Sequence, residues 1–135
     1  MAVQISTVLL DRLLKRAAAS PEREVCGLLL GTPEHIFALE PACNVAADPA
    51  CAFEIEPRVL LAAQKRARAN GLSLVGHYHS HPSGDMRPSA RDAALATADG
   101  VVWVIMAGGL VAAWLTRRGG RVHGRFEPLE LQMTS

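Results

Sequence analysis

The run Val25-Cys26-Gly27-Leu28-Leu29-Leu30-Gly31 constrains the fold of this chain more than any other stretch. A continuous apolar run of that length, bounded by glycine, reads as a strand buried on both faces. Such a strand needs cover on either side, so a layered architecture follows. Val101 to Ala107, β-prone and free of charge, makes the same demand. The segments between supply the cover. Ser6 or Thr7 caps a helix to about Ala19, with Val8, Leu9, Leu13, Leu14 and Ala17 as its apolar stripe. Pro57 opens a second helix that runs to Asn70, with Gly71 as its stop and Val59, Leu60, Ala63 and Ala67 facing inward. Ser89 to Ala98 reads as a third.

The remaining strands follow from alternation and turns. Val3 to Ser6, His35 to Glu40, Ala52 to Glu56 and Leu72 to His79 are read as strands, and Pro41 to Ala50 as a loop. Gly108-Gly109 turns into Leu110 to Thr116, and Gly119-Gly120 into a last strand or pair over Arg121 to Leu131. The expectation is an α/β fold, a mixed sheet with helices on both faces, in one domain over residues 1–135.

Several function classes are disfavoured. The formal net charge of +1 and an aromatic content of 4% give no electrostatic or stacking case for nucleic acid. No apolar run is long enough to span a bilayer, and Met1 to Asp11 lacks the pattern of a secretory leader. Cys26, Cys43 and Cys51 are odd in number and form no close CxxC pair, which reads as reduced thiols in a cytoplasmic protein; a Cys43–Cys51 bridge stays open as the minor alternative. Lys65, Arg66 and Arg68 read as a solvated helix face.

The chemistry concentrates in Gly76-His77-Tyr78-His79-Ser80-His81-Pro82, followed by a Pro/Gly turn and Ser89-x-x-Asp92. On a strand, residues i and i+2 lie about 6.6 Å apart on one side, so His79 and His81 can converge on one ion. His77 shares that side, but about 13 Å of straight strand separates it from His81. Asp92 is the better third ligand, because the turn between Pro82 and Pro88 can bring it back. Two imidazoles and a carboxylate leave a position for water, as a catalytic zinc site requires. Ser89 and Asp92 also form a helix-capping pair, and the two readings coexist. His77 is read as a wall of the site. Amide hydrolysis further needs a carboxylate to move a proton. Glu24, at the mouth of the apolar strand, is the best candidate, with partial burial raising its pKa; Glu22 competes.

Glu24-x-Cys26-Gly27-Leu28-Leu29, then His79-Ser80-His81-Pro82, then Ser89-x-x-Asp92, resembles the signature of the JAMM (MPN-plus) zinc metalloproteases. Asn44-Val45-Ala46, Phe53-Glu54-Ile55-Glu56-Pro57 and Leu74-Val75-Gly76 extend the likeness to short prokaryotic members, over roughly Val3 to Leu115. The resemblance implies a single MPN domain like that of the cytidine deaminases, with a curved mixed sheet flanked by helices. It implies that His79, His81 and Asp92 bind one Zn2+, that Glu24 is general base and acid, and that Ser89 stabilises the oxyanion. It implies a buried, non-nucleophilic Cys26. Many relatives carry Trp at the position of His77. The implied substrate is a ubiquitin-like β-grasp protein with a Gly-Gly C-terminus, as in sulfur carriers. An E1-like activating enzyme would share the pathway. The chain has little room for the insertions with which eukaryotic relatives grip ubiquitin. Competing expectations are a non-catalytic scaffold of the same fold and another metalloenzyme built on two histidines and a carboxylate. An iron site of that kind usually sits in an all-β barrel, whereas this chain carries three helices. DNA-repair-associated relatives share a similar His-Pro-Ser-Gly-Asp run, but the near-neutral charge and the lack of a helix-hairpin-helix segment speak against that role.

Overall fold

In the computed structural model, which describes Met1–Ser135 throughout, seven strands and three helices alternate. They are β1 (Ala2–Ser6), α1 (Thr7–Ala18), β2 (Cys26–Thr32), β3 (His35–Ala42), α2 (Pro57–Ala69), β4 (Ser73–Ser80), α3 (Ala90–Leu95), β5 (Val102–Ala107), β6 (Leu110–Gly120) and β7 (Gly124–Thr134). The strands lie in the order β1-β3-β2-β4-β5-β6-β7. The sheet is mixed, with parallel pairing of β4 with β5 and antiparallel pairing of β2 with β3 and β4. Its curvature runs to closure, since β1 pairs in parallel with both β7 and β3. The closing seam is short on one side, where β1 meets β3 at Gln4↔His35 and Ile5↔Ile36.

The apolar strands are covered on both faces, and the period-2 alternation sorts their side chains. Leu29, Tyr78, Val102, Val104 and Met106 point into the core that Val3, Ile5 and Ile36 share with Leu9 and Leu13 of α1. Leu28 and Leu30 point the other way and pack under Ala63 and Ala67 of α2. Trp103 and Ile105 share that outer face with Ala96, Trp114 and Phe126. Each fully buried leucine of this kind stabilises the fold by about 1.5–3 kcal/mol. Gly27 is required by close approach, because the Tyr78 ring lies where its Cβ would stand.

Four expectations are corrected. Ala52 to Glu56 forms no strand; the segment is held by single bonds, such as Val45 N–H to the Glu54 carbonyl at 3.0 Å, and by the Asn44 side chain. α3 stops at Leu95 instead of Ala98, with Ala96 already outside the helical region (ψ 83°). Gly119 and Gly120 belong to β6, and the turn lies at residues 121–123, where His123 takes φ 52°. Val8 of the α1 stripe is 60% exposed, whereas Leu9 and Leu13 are buried. The cap of α1 resolves to Ser6, whose Oγ accepts from Leu9 N–H at 3.2 Å. Arg66 of the basic patch pairs with Glu40. The three cysteines are free thiols, Cys26 buried and the others exposed. No helix is long and apolar enough to cross a membrane.

Candidate metal centre

Strand register builds the site. β2 and β4 run antiparallel with Cys26 opposite His79. The pairing continues past the strand ends: Ser80 N–H donates to the Val25 carbonyl at 3.0 Å, and Val25 N–H to Ser80 Oγ at 2.9 Å. Two residues beyond Cys26, Glu24 therefore stands across from His81. Opposed residues share a face, here the outer one that carries α2 and α3. His81 N–H donates to the Met106 carbonyl at 2.8 Å, which fixes the strand end against β5. The turn after Pro82 then returns the chain to Ser89 and α3.

His79 Nε2 and His81 Nε2 lie 3.0 Å apart. Asp92 Oδ2 is 3.0 Å from His81 Nε2 and 3.3 Å from His79 Nε2. All three residues are buried. Asp92 is oriented by the capping box predicted for α3. Ser89 N–H donates to Asp92 Oδ2 at 2.9 Å, and Asp92 N–H to Ser89 Oγ at 3.0 Å. Ser89 Oγ thus accepts within the cap and keeps its own hydroxyl proton free to donate. His81 Nδ1–H donates to the Asp85 carbonyl at 2.7 Å, so its Nε2 turns a lone pair into the cluster.

Glu24 completes the group. It is 5% exposed, and its Oε1 has no hydrogen-bond partner. Glu22 lies in an exposed turn. Glu24, His79 and His81 offer ligand atoms within 4.8 Å of one another. Two ligand sets are therefore possible on distance, with Asp92 or with Glu24 as the carboxylate. Asp92 makes the tighter set and is the one held in place by the backbone.

Burial raises the Glu24 pKa from 4.5 to about 7, against the opposing attraction of His81. Burial acts in the same sense on Asp92, but the bonds from His79 and His81 outweigh it and hold this carboxyl well below the usual range. Burial pulls His79 down. It would do the same to His81, where the bonds to Asp92 and the Asp85 carbonyl prevail and raise it. Two neighbouring carboxyls are thus driven apart, one fixed as the anion and one able to take a proton near neutrality.

The residues fit a divalent cation. Ligands held at 2.0–2.1 Å around a tetrahedral ion stand about 3.3 Å from one another. The spacings of 3.0–3.3 Å among the two Nε2 atoms and Asp92 Oδ2 are close to that. His77 lies outside the cluster. Its ring meets Trp103 edge-on at 4.2 Å and Phe53 at 5.3 Å, and burial depresses its pKa to about 3. Phe53 also stacks on His79 at 4.3 Å.

Three residues support the site without chemistry of their own, and of these only Asn44 stands in a stretch singled out in the sequence, Asn44-Val45-Ala46. Asn44 ties the Phe53 segment to the backbone of Glu24. Trp114 Nε1–H and His123 Nε2–H hold the Met86 and Pro88 carbonyls, both at 3.0 Å. For Trp114 and His123 the only sequence signal is a histidine beside Gly124.

A family model described as prokaryotic homologs of the JAB domain matches residues 6–118. The chain is 40% identical over 91 residues to a protein of Haloferax volcanii named desampylase, covering 66% of each chain. It is 41% identical over 70 residues to a Thermus thermophilus protein named probable TtuB-protein conjugate cleaving protease, covering 52% of this chain and 47% of that one. The match thus spans slightly under two thirds of the first relative and about half of the second. Among solved structures, one from Desulfitobacterium hafniense superposes with a TM-score of 0.84 at 25% identity, over 98% of this chain and 93% of that one. A structure described as "JAMM: A Metalloprotease-like Zinc Site in the Proteasome and Signalosome" matches in fold, with a TM-score of 0.62 at 21% identity over the full length of both chains.

Proposed function

We propose that this chain, which belongs to the family of prokaryotic homologs of the JAB domain, is a zinc-dependent isopeptidase that cleaves after the C-terminal glycine of a ubiquitin-like protein. The observation that carries the reading is the placement of Glu24 Oε1, buried, unpartnered and basic near neutrality, against the His79–His81–Asp92 cluster. The relatives named for deconjugating activities support the substrate class.

His79, His81 and Asp92 would hold the ion. A divalent zinc supplies Lewis acidity, which lowers the pKa of a coordinated water towards about 7. Glu24 takes the proton of the attacking water at Oε1 and returns it to the leaving amine, for which a pKa near neutrality suits it. Ser89 directs its free hydroxyl proton at the oxyanion, while its backbone N–H keeps Asp92 Oδ2 turned to the imidazoles. A Gly-Gly tail, without side chains, suits the small cavity that Glu24, Ala50, Cys51, His81, Asp85 and Ser89 line. An E1-like activating enzyme is the expected partner in the pathway.

Closure of the sheet removes one distinction between this site and the barrel-borne iron sites that also use two histidines and a carboxylate. The three helices still set this chain apart from all-β barrels, and metal analysis tests the reading. The test of the function uses carrier fusions ending Gly-Gly-x, read by mass spectrometry. Wild type cleaves after the second glycine, and a chelator or Glu24→Gln stops cleavage while Glu24→Gln still binds stoichiometric zinc. Undiminished cleavage by Glu24→Gln removes Glu24 from its role. Iron as the bound metal, with oxygen-dependent turnover, sinks the reading.

A further inference from the structure

The segment from His81 to Ser89 joins one histidine of the cluster to the residue that orients Asp92. Most of its ties are local. Gly84 N–H donates to the His81 carbonyl at 3.0 Å, and Arg87 N–H to Asp85 Oδ1 at 2.9 Å. His81 itself is fixed to β5 through the Met106 carbonyl, and beyond it two side chains reach the segment from far along the chain, both from the β6–β7 hairpin. Trp114 Nε1–H, on a nearly buried ring in β6, holds the Met86 carbonyl. His123 Nε2–H, at the tip of the hairpin, holds the Pro88 carbonyl.

His123 is the only residue other than glycine with positive φ, at 52°. L-residues with a Cβ enter that region at a cost, and Gly or Asn would enter it more readily. Its side chain is otherwise exposed, so packing does not hold it there. What it does have is the bond to Pro88. A carbonyl oxygen only accepts, so Nε2 carries the hydrogen, and it does so whether the ring is neutral or charged. Backbone strain retained at one position and matched by one specific contact points to a role for that contact.

The contact leads directly to the cluster. Pro88 is buried and precedes Ser89, whose N–H donates to Asp92 Oδ2 at 2.9 Å. That same oxygen lies 3.0 Å from His81 Nε2. A shift of the Pro88 peptide therefore turns the Ser89 N–H and releases the Asp92 carboxylate. We propose that His123 is a positioning residue for the metal centre, clamping the Pro88 carbonyl so that Ser89 holds Asp92 in the geometry that binds the ion. The inference rests on reading His79, His81 and Asp92 as ligands.

The test compares wild type with His123→Gly and His123→Gln in the full chain. Glycine removes the bond and relieves the backbone, so its thermal midpoint should equal or exceed that of wild type. Its zinc affinity, measured by competition with a chromophoric chelator, should fall about 10-fold, the usual lower limit for loss of a residue that orients a ligand. Hydrogen exchange at the Ser89 and Asp92 amides should accelerate by a similar factor. Glutamine places an amide N–H at the reach of Nε2 and should restore both readouts to within about 3-fold of wild type. Wild-type affinity and exchange in His123→Gly would overturn the proposal, as would equal losses in both variants. Neither readout needs a substrate, so failure of the proposed reaction leaves this test intact. If wild type binds no zinc, the metal reading fails and amide exchange alone decides whether the clamp exists.

Discussion

Asn44→Ala should uncouple the stability of the Glu24 mouth from the metal cluster. The Asn44 amide uses its full hydrogen-bonding capacity. Nδ2 donates to the carbonyls of Glu24 and Ala52, both at 2.9 Å. Oδ1 accepts from the N–H groups of Ala46 at 3.0 Å and Glu54 at 3.1 Å. Glu24 is held from its other side by its own N–H, which donates to the Pro49 carbonyl at 2.7 Å. One side chain thus binds together three points of a segment that has no strand or helix of its own. At about 1 kcal/mol net per bond, the loss is bounded near 4 kcal/mol. Asn44 is only half-buried, so water can replace some partners, and about 2–3 kcal/mol is expected from urea unfolding. Turnover of a Gly-Gly-x fusion should fall roughly 10- to 100-fold, the scale on which about 1 Å of misplacement acts. Zinc affinity should stay at the wild-type value, because no bond of Asn44 reaches His79, His81 or Asp92. A loss below about 0.5 kcal/mol, or an equal loss of zinc affinity, would refute the reasoning.

Two further outcomes follow from burial. Glu24 has a folded-state pKa of about 7 against 4.5 when unfolded, so between those values the folded state binds the extra proton. This group's contribution to stability is therefore greatest at low pH and falls as pH rises from about 4.5 to 7. Unfolding of the metal-free protein across that range should show the slope in wild type, and Glu24→Gln should remove it; parallel curves would show that burial does not control this carboxyl. Cys26 is buried with its thiol pushed up to about 11, whereas Cys43 and Cys51 are exposed. Iodoacetamide at pH 8 should alkylate two thiols in the native protein and the third only after unfolding. The Asp48 carboxylate, 2.7 Å from Cys51 Sγ, should make Cys51 the slower of the two.

Much of the fold is legible in the sequence where periodicity reports burial directly. Val25 to Gly31 and Val101 to Ala107 read as strands covered on both faces because no solvent-facing position interrupts them. The helices are legible from Ser6, Pro57 and Ser89 at their starts. What misleads is alternation without a partner. Ala52 to Glu56 alternates like a half-exposed strand, yet it meets Val45 through one backbone bond, and the Asn44 side chain takes the Ala52 carbonyl and the Glu54 N–H. Gly119-Gly120 looks like the turn, but β6 continues through it and the chain reverses at a non-glycine. Barrel closure is hidden because it depends on β1 meeting strands at opposite ends of the order.

The site divides along the same line. His79 and His81 are two apart on a strand, and Asp92 is one cap away from Ser89, so local geometry is enough to group them. Glu24 lies some fifty-five residues earlier, and no local rule selects it over Glu22. Register does. With Cys26 opposite His79, every second residue toward the strand mouth shares the face of the imidazoles, and Glu24 is the one that meets His81. Glu22 falls beyond the last paired residue and remains exposed. A shift of one residue in the β2–β4 pairing would turn Glu24 to the inner face and bring Val25 towards His81. Gly27 guards against that shift, because the Tyr78 ring on the opposing strand occupies the space that a side chain at this position would fill. The Glu-x-Cys-Gly stretch is therefore one device: its glycine fixes the register, and the register delivers its glutamate to the His79–His81–Asp92 cluster.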